Sequence, residues 1–324
     1  MPASGSAFPR RRVPDPASVQ PSPSMIHSNV LVVGKRGQVA RALEARCPRQ
    51  GITLTCLGRP ELDILSEGGI RRAFERHAPE IVVNAAAYTA VDQAETEPEA
   101  ARLLNAEAAG MLAGVAAEHG VPIIHLSTDY VFSGDKHAPY HEADPVSPLG
   151  VYGLSKLEGE HAVCRANPRA VILRTAWVYS PWGRNFARTM LRLARQREEV
   201  AVVSDQRGNP TSALDIATGI WSLIALHSRG GMNEAGVFHM TARGDTSWAG
   251  FAEEVFRQSA QCGGPFARVR PIPASEYPTP ARRPTDSRLD CSKLAQVYGI
   301  SLPDWRSGVA PVVREIITMK DPEE

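Results

Sequence analysis

NVLVVGKRGQVA, residues 29–40, runs apolar through Val33 and then breaks at Gly34 and Gly37. A short apolar run closed by glycine reads as a fully buried strand, and two glycines between a strand and a helix let backbone amides approach a dinucleotide pyrophosphate. Ala40 takes the place of the third glycine of the usual fingerprint, where close helix–strand packing needs only a small residue. Working outward, apolar runs recur at 53–57, 81–84, 123–127 and 170–173, with helical patterns at 39–47, 69–77, 98–119 and 152–166. Near-continuous apolar strands alternating with helices predict an α/β fold of the Rossmann type, a doubly wound parallel sheet covered on both faces.

Past residue 180 the rhythm weakens. A helix is predicted over 185–197, then a strand, a turn and another helix reaching residue 226. The stretch YPTPARRPTDSRLD, residues 277–290, is proline-rich with three arginines, which reads as a binding loop rather than packing. The expected organisation is a dinucleotide-binding domain over 29–184, a smaller discontinuous substrate lobe over 185–315 with segments returning to the first domain, and a tail over 316–324.

With 324 residues, 43% of them hydrophobic, the chain can bury a large core. A formal charge of +1 gives no electrostatic case for a nucleic-acid partner. Five scattered cysteines without CxxC spacing argue against a disulfide framework or a structural zinc site, and fit the cytoplasm. Residues 1–28 are rich in Pro, Ser and Arg and lack the apolar core of a signal peptide or membrane span. They read as a disordered extension, or as an overlong start with Met25 the initiator.

The chemistry is carried further along the chain. Tyr152 and Lys156 in VYGLSK are four residues apart, which puts a phenol and an ammonium on one helix face. Reduction of a ketone builds negative charge on oxygen and needs a proton source and a hydrogen-bond donor. Tyr152 supplies the proton, and a neighbouring cationic Lys156 is expected to lower the phenol from its free value of about 10. Thr128, just past a strand end in HLSTDYVF, is the donor to the substrate oxygen, with Ser127 a second candidate. In LGRPELD, after the second strand, Asp63 could engage a ribose hydroxyl as in NAD sites, but Arg59 stands nearer the strand end and Arg36 lies in the first turn. That leans toward NADPH, with NADH the alternative.

These residues resemble the extended branch of the short-chain dehydrogenase/reductase family and, within it, the dTDP-4-dehydrorhamnose reductases. GKRGQVA, LGRPELDI, VVNAAAYTAVDQAE, LSTDYVFSG, PLGVYGLSKLEGE, LRTAWVYSPWGRNFARTMLRL, SDQRGNPT and YPTPARRPTDSRL carry the likeness across nearly all of residues 29–305. The resemblance implies Thr128, Tyr152 and Lys156 as the catalytic set. It implies cofactor contacts at Gly34, Gln38, Val39, Asp63, Ala85, Ala86, Ala87 and Lys156, to which the glycine turn adds Gly37 and the helix-face pair adds Tyr152, and sugar contacts at Asp129, Tyr130 and Trp177. The implied substrate is a dTDP-4-keto-6-deoxysugar, and Asn185, Arg282 and Arg283 suit its nucleotide diphosphate, since guanidinium groups match phosphate geometry. Some relatives bind magnesium at a dimer interface through glutamates. Here Ala42 replaces one of them, although Glu44 lies nearby and Glu198 and Glu199 remain in the later acidic stretch, so a metal-independent monomer is expected rather than a homodimer. Three other readings stay open: another 4-ketosugar reductase; a 4,6-dehydratase, which usually has Asp-Glu where this chain has Asp129-Tyr130; and a non-catalytic subunit like the regulatory subunit of methionine adenosyltransferase.

Overall fold

The computed structural model describes residues 28–48 and 50–319. The extension expected at the start therefore lies outside the described residues, apart from Ser28. The chain runs β1 (Ser28–Val33), α1 (Gln38–Ala45), β2 (Ile52–Leu57), α2 (Glu67–His77), β3 (Ile81–Asn84), α3 (Val91–Ala94), α4 (Pro98–Arg102), α5 (Ala108–Glu118), β4 (Ile123–Thr128), α6 (Val151–Ala166) and β5 (Val171–Thr175). It continues with β6 (Val178–Tyr179), α7 (Phe186–Ala194), β7 (Glu199–Val203), β8 (Arg207–Gly208), β9 (Thr211–Ser212), α8 (Ala213–His227), β10 (Gly236–His239), β11 (Thr246–Ser247), α9 (Trp248–Gln261), β12 (Arg268–Ile272), α10 (Ser292–Tyr298) and α11 (Trp305–Thr318).

Six parallel strands form one sheet in the order β10-β5-β4-β3-β1-β2. Alternation along each strand splits the core between its faces. Val30, Val32, Val83, Ile124 and Leu173 pack with α1 and α8 residues on one side. Leu31, Val33, Val82, Ile123 and Ile172 pack with α2 and α5 residues on the other. This is the predicted doubly wound arrangement. Chain order reverses at β1, which lies between β2 and β3, so a crevice opens where their carboxyl ends meet. The register aligns those ends: Val33 pairs with both Leu57 and Asn84, and Thr128 with Thr175.

The single helix expected over 98–119 is interrupted by a π-helical turn, Leu103–Glu107. The turn brings the buried Asn105 side chain inward, where Oδ1 accepts from Tyr88 N at 2.7 Å and Nδ2 donates to Ser155 Oγ at 2.9 Å. Such bulges often accompany functional sites. Here the bulge clamps the loop after β3 to α6 one residue before Lys156.

The smaller lobe is discontinuous. β7 pairs with β12 in parallel, and β8 with β11 antiparallel, drawing together chain segments some seventy and forty residues apart. β10 returns to the main sheet beside β5. Among the described residues no helix is long and apolar enough to cross a membrane.

Candidate active site

The glycine turn after β1 sets the first half of the site. Gly34 has φ +110°, a conformation open to glycine, and a Cβ there would lie 2.6 Å from Ala86 N. Its amide bonds Leu57 O at 2.9 Å and its carbonyl accepts from Gly37 N at 2.8 Å. Bare backbone thus meets the small residues Ala85, Ala86 and Ala87. Together with Gly37, Arg36, Arg59 and Asp63 they line a cavity of about 520 Å³ that Leu62, Ile64, Leu103 and Leu104 close on its apolar side. Arg36 and Arg59 are exposed at its mouth. Asp63 also stands there, and its Oδ1 accepts from Leu65 N at 3.1 Å. A floor of backbone with cations at the rim suits a phosphorylated ligand.

Gln38 and Val39 sit elsewhere. Val39 is buried in the core. Gln38 Oε1 accepts from Ser180 Oγ at 2.8 Å and Asn185 Nδ2 at 3.0 Å, tying the glycine turn to the start of α7. Asn185 caps α7, accepting from Arg188 N at 3.2 Å, and its amide also donates to Ser180 O at 2.9 Å. Its side chain is therefore engaged within the protein.

The second half gathers at the end of β4. Thr128 caps a short 3-10 turn, Asp129–Val131, accepting from Tyr130 N at 3.2 Å and donating to Asp129 Oδ1 at 3.1 Å. The Tyr152 phenol stands beside Thr128, whose hydroxyl acts on its ionisation. Helix α6 is held at its start by Glu95, whose Oε1 accepts from Val151 N at 2.9 Å. Ser127 points to the opposite face of the strand and donates to Glu160, which also pairs with Arg174 at 2.7 Å. Of the two hydroxyls weighed, Thr128 alone faces Tyr152.

The expected charge pairing between Tyr152 and Lys156 takes a different form. Lys156 Nζ turns to β4, donating to Leu126 O at 2.6 Å and lying 3.4 Å from His125 Nε2. Burial, reinforced by the Asp129 charge and only partly opposed by the Thr128 hydrogen bond, pushes the Tyr152 phenol up to about 12. Burial also brings Lys156 down to about 8, against the pull of Glu160. Desolvation thus outweighs the helix-face attraction that spacing alone predicts. The phenol stays protonated near neutrality, as a proton donor must.

Around it, Tyr130 meets Tyr152 edge-on, with ring centroids 5.5 Å apart. Asp129 is 1% exposed, and burial raises its carboxyl to about 6. Arg283 reaches in from the 277–290 loop, pairing with Asp92 at 2.8 Å and lying against the Tyr130 hydroxyl. Arg282, its neighbour, is exposed. Trp177 has φ +47°, strained for a bulky residue. Its ring stacks on Trp248 at 3.5 Å, and Gly208 lets it lie flat, since a Cβ there would fall on the indole. Among the described residues no group of three His, Cys, Asp or Glu side chains is placed to hold a metal, and Glu199 faces Arg268 and Arg270.

Several participants went unread in the sequence. Asp92, Asn105, His125, Glu160 and Trp248 all fix the site, yet each owes its place to a partner at least fourteen residues away. Only His125, a histidine inside the apolar run IIHLST, carried a local signal.

The family described as the RmlD substrate binding domain matches residues 28–318. The chain is 47% identical over 285 residues to a dTDP-4-dehydrorhamnose reductase of Sinorhizobium fredii, covering 88% of this chain and 96% of that one. It is 40% identical over 293 residues to a probable dTDP-4,6-dihydroxy-2-methyloxan-3-one 4-ketoreductase of Streptomyces antibioticus, covering 90% and 97%. The crystal structure of dTDP-4-dehydrorhamnose reductase from Bacillus anthracis in complex with NADP superposes with TM-score 0.82 at 31% identity, covering 88% and 98%. A sequence match of this extent, on a parallel sheet whose strand β1 runs into the glycine turn and whose strand β4 ends at Thr128, makes this chain a member of the dTDP-4-dehydrorhamnose reductase family.

Proposed function

We propose that the protein reduces the C4 ketone of dTDP-4-dehydro-6-deoxy-L-mannose to give dTDP-L-rhamnose, with NADPH as reductant. The observation that carries the reading is a protonated, half-buried Tyr152 phenol beside Thr128, at the carboxyl end of β4. Gly34, Gly37 and Ala85–Ala87 would hold a dinucleotide, with Arg36 and Arg59 favouring a 2′-phosphate and Asp63 at the ribose; Gln38 and Val39 stay in the proposed set through the turn they build. A bound nicotinamide supplies hydride to the ketone carbon. Tyr152 gives its proton to the ketone oxygen, Thr128 hydrogen-bonds that oxygen, and Lys156 orients the nicotinamide ribose. Asp129, Tyr130 and Trp177 receive the sugar. Arg282, Arg283 and Asn185 receive the nucleotide diphosphate, with Arg283 exchanging Asp92 for phosphate. The working unit in this proposal is a monomer that needs no magnesium.

A second reading, reduction of a different dTDP-4-keto-6-deoxysugar, is favoured by the likeness to the Streptomyces antibioticus protein. One experiment separates the two. The purified protein is incubated with NADPH and, in parallel, with dTDP-4-dehydro-6-deoxy-L-mannose or with other dTDP-4-keto-6-deoxysugars, and the products are identified by NMR. dTDP-L-rhamnose from the first is expected; turnover of another ketosugar in its place would select the second reading, and NADPH consumption with none of them would overturn both.

A further inference from the structure

Asn84, His125 and Lys156 form a buried line of side chains whose polarity is set by the backbone. Asn84 Oδ1 accepts the Ala86 amide at 3.2 Å, which turns the Asn84 amide nitrogen toward His125 Nδ1 at 3.0 Å. That nitrogen only donates, so Nδ1 must offer its lone pair, and a neutral imidazole then keeps its proton on Nε2. Nε2 lies 3.4 Å from Lys156 Nζ, whose other bond is donated to Leu126 O. An ammonium has three donors and no acceptor, so the imidazole N–H finds nothing to bond there; a neutral amine presents a lone pair. All three side chains are 2% exposed or less, so bulk water does not screen the mismatch.

We infer that His125, oriented by Asn84, is a positioning residue that loosens Lys156's hold on its proton through a one-way hydrogen-bond chain running from Ala86 N–H to Lys156 Nζ. Other groups around the lysine do not supply this. On α6, Glu160 favours the charged lysine, but its carboxylate is itself matched by Arg174 from β5 at 2.7 and 2.9 Å and by Ser127 from β4. Tyr152 stays neutral, and Asp129 acts on Tyr152. His125 is held neutral by burial and by the lysine charge, well below the ordinary histidine range. The inference deepens the reductase reading, because Lys156 is the residue proposed to hold the nicotinamide ribose.

Two measurements test it. Nitrogen-detected NMR of the ligand-free protein labelled at histidine reads the His125 tautomer directly; the Nε2-protonated form is expected, and an Nδ1-protonated ring or an imidazolium near neutrality would overturn the chain. NADPH binding, followed by its fluorescence from pH 6 to 10, is expected to weaken as Lys156 deprotonates above about 8. In His125→Gln, an amide oxygen can face the ammonium, so that alkaline limb should move up by about one pH unit. A folded variant whose limb stays in place would refute the role. Should the parent bind NADPH yet reduce no ketosugar, the reductase reading alone falls, and both measurements still stand.

Discussion

The two halves of the crevice are made of different material. The proposed dinucleotide side comes mostly from residues 34–104, a nearly continuous piece of chain, and its floor is backbone and alanine. The proposed catalytic side is made of side chains from β4, α6 and a loop more than a hundred residues later, and burial displaces the ionisation of Asp129, Tyr152 and Lys156. A backbone site depends on conformation at a few glycines; a side-chain site depends on desolvation. The first should fail through shape and the second through protonation, and substitutions can pull those failures apart.

The largest effect is expected from Tyr152→Phe. Loss of the proton donor should lower kcat by roughly 10²–10⁴-fold with NADPH affinity unchanged, as read by steady-state kinetics and fluorescence titration. Parent-like turnover would remove Tyr152 from the chemistry. Gly34→Ala should do the converse. A Cβ 2.6 Å from Ala86 N at positive φ costs on the order of 2–3 kcal/mol, seen as weaker NADPH binding and a lower Tm, with no shift in the pH profile of the remaining activity. A shifted profile would show that the halves are not separable.

Asp129→Asn tests the catalytic side through stability. The folded carboxyl titrates at about 6 against an ordinary 3.8, so the folded state holds the proton more tightly. Its contribution is therefore present below pH 4 and lost as pH rises through 6, leaving a strained carboxylate at pH 7 that costs about 3 kcal/mol. The asparagine variant should be more stable to urea at pH 7, match the parent at pH 4, and reduce substrate more slowly. Equal stability at pH 7 would mean that the pocket solvates the charge. The smallest effect belongs to Arg59→Ala at the exposed mouth. KM for NADPH should rise about fivefold, roughly 1 kcal/mol, with NADH unchanged. An equal rise for both cofactors would place Arg59 on the pyrophosphate.

The same contrast governs what could be read without coordinates. The strand–glycine–helix opening, the Tyr152–Lys156 spacing and the Thr128 strand end were legible because each is a local pattern with a local cause. The π-helical turn at Leu103–Glu107 was not, because Asn105 is drawn inward by Tyr88 and Ser155, seventeen and fifty residues away. Arg283 was readable as a cation in a loop, but not as the partner of Asp92.

From the sequence by itself came the doubly wound sheet, the glycine turn after its first strand and the residue types proposed to bind a dinucleotide and protonate a ketone, since apolar periodicity and turn chemistry act within a few residues. Only the tertiary structure decided that Lys156 turns from the phenol to the β4 backbone, that Ser127 serves Glu160, and that Tyr152 keeps its proton. Those outcomes depend on how deeply each group is buried and on what stands opposite it, and neither is settled until distant strands and loops close over the site.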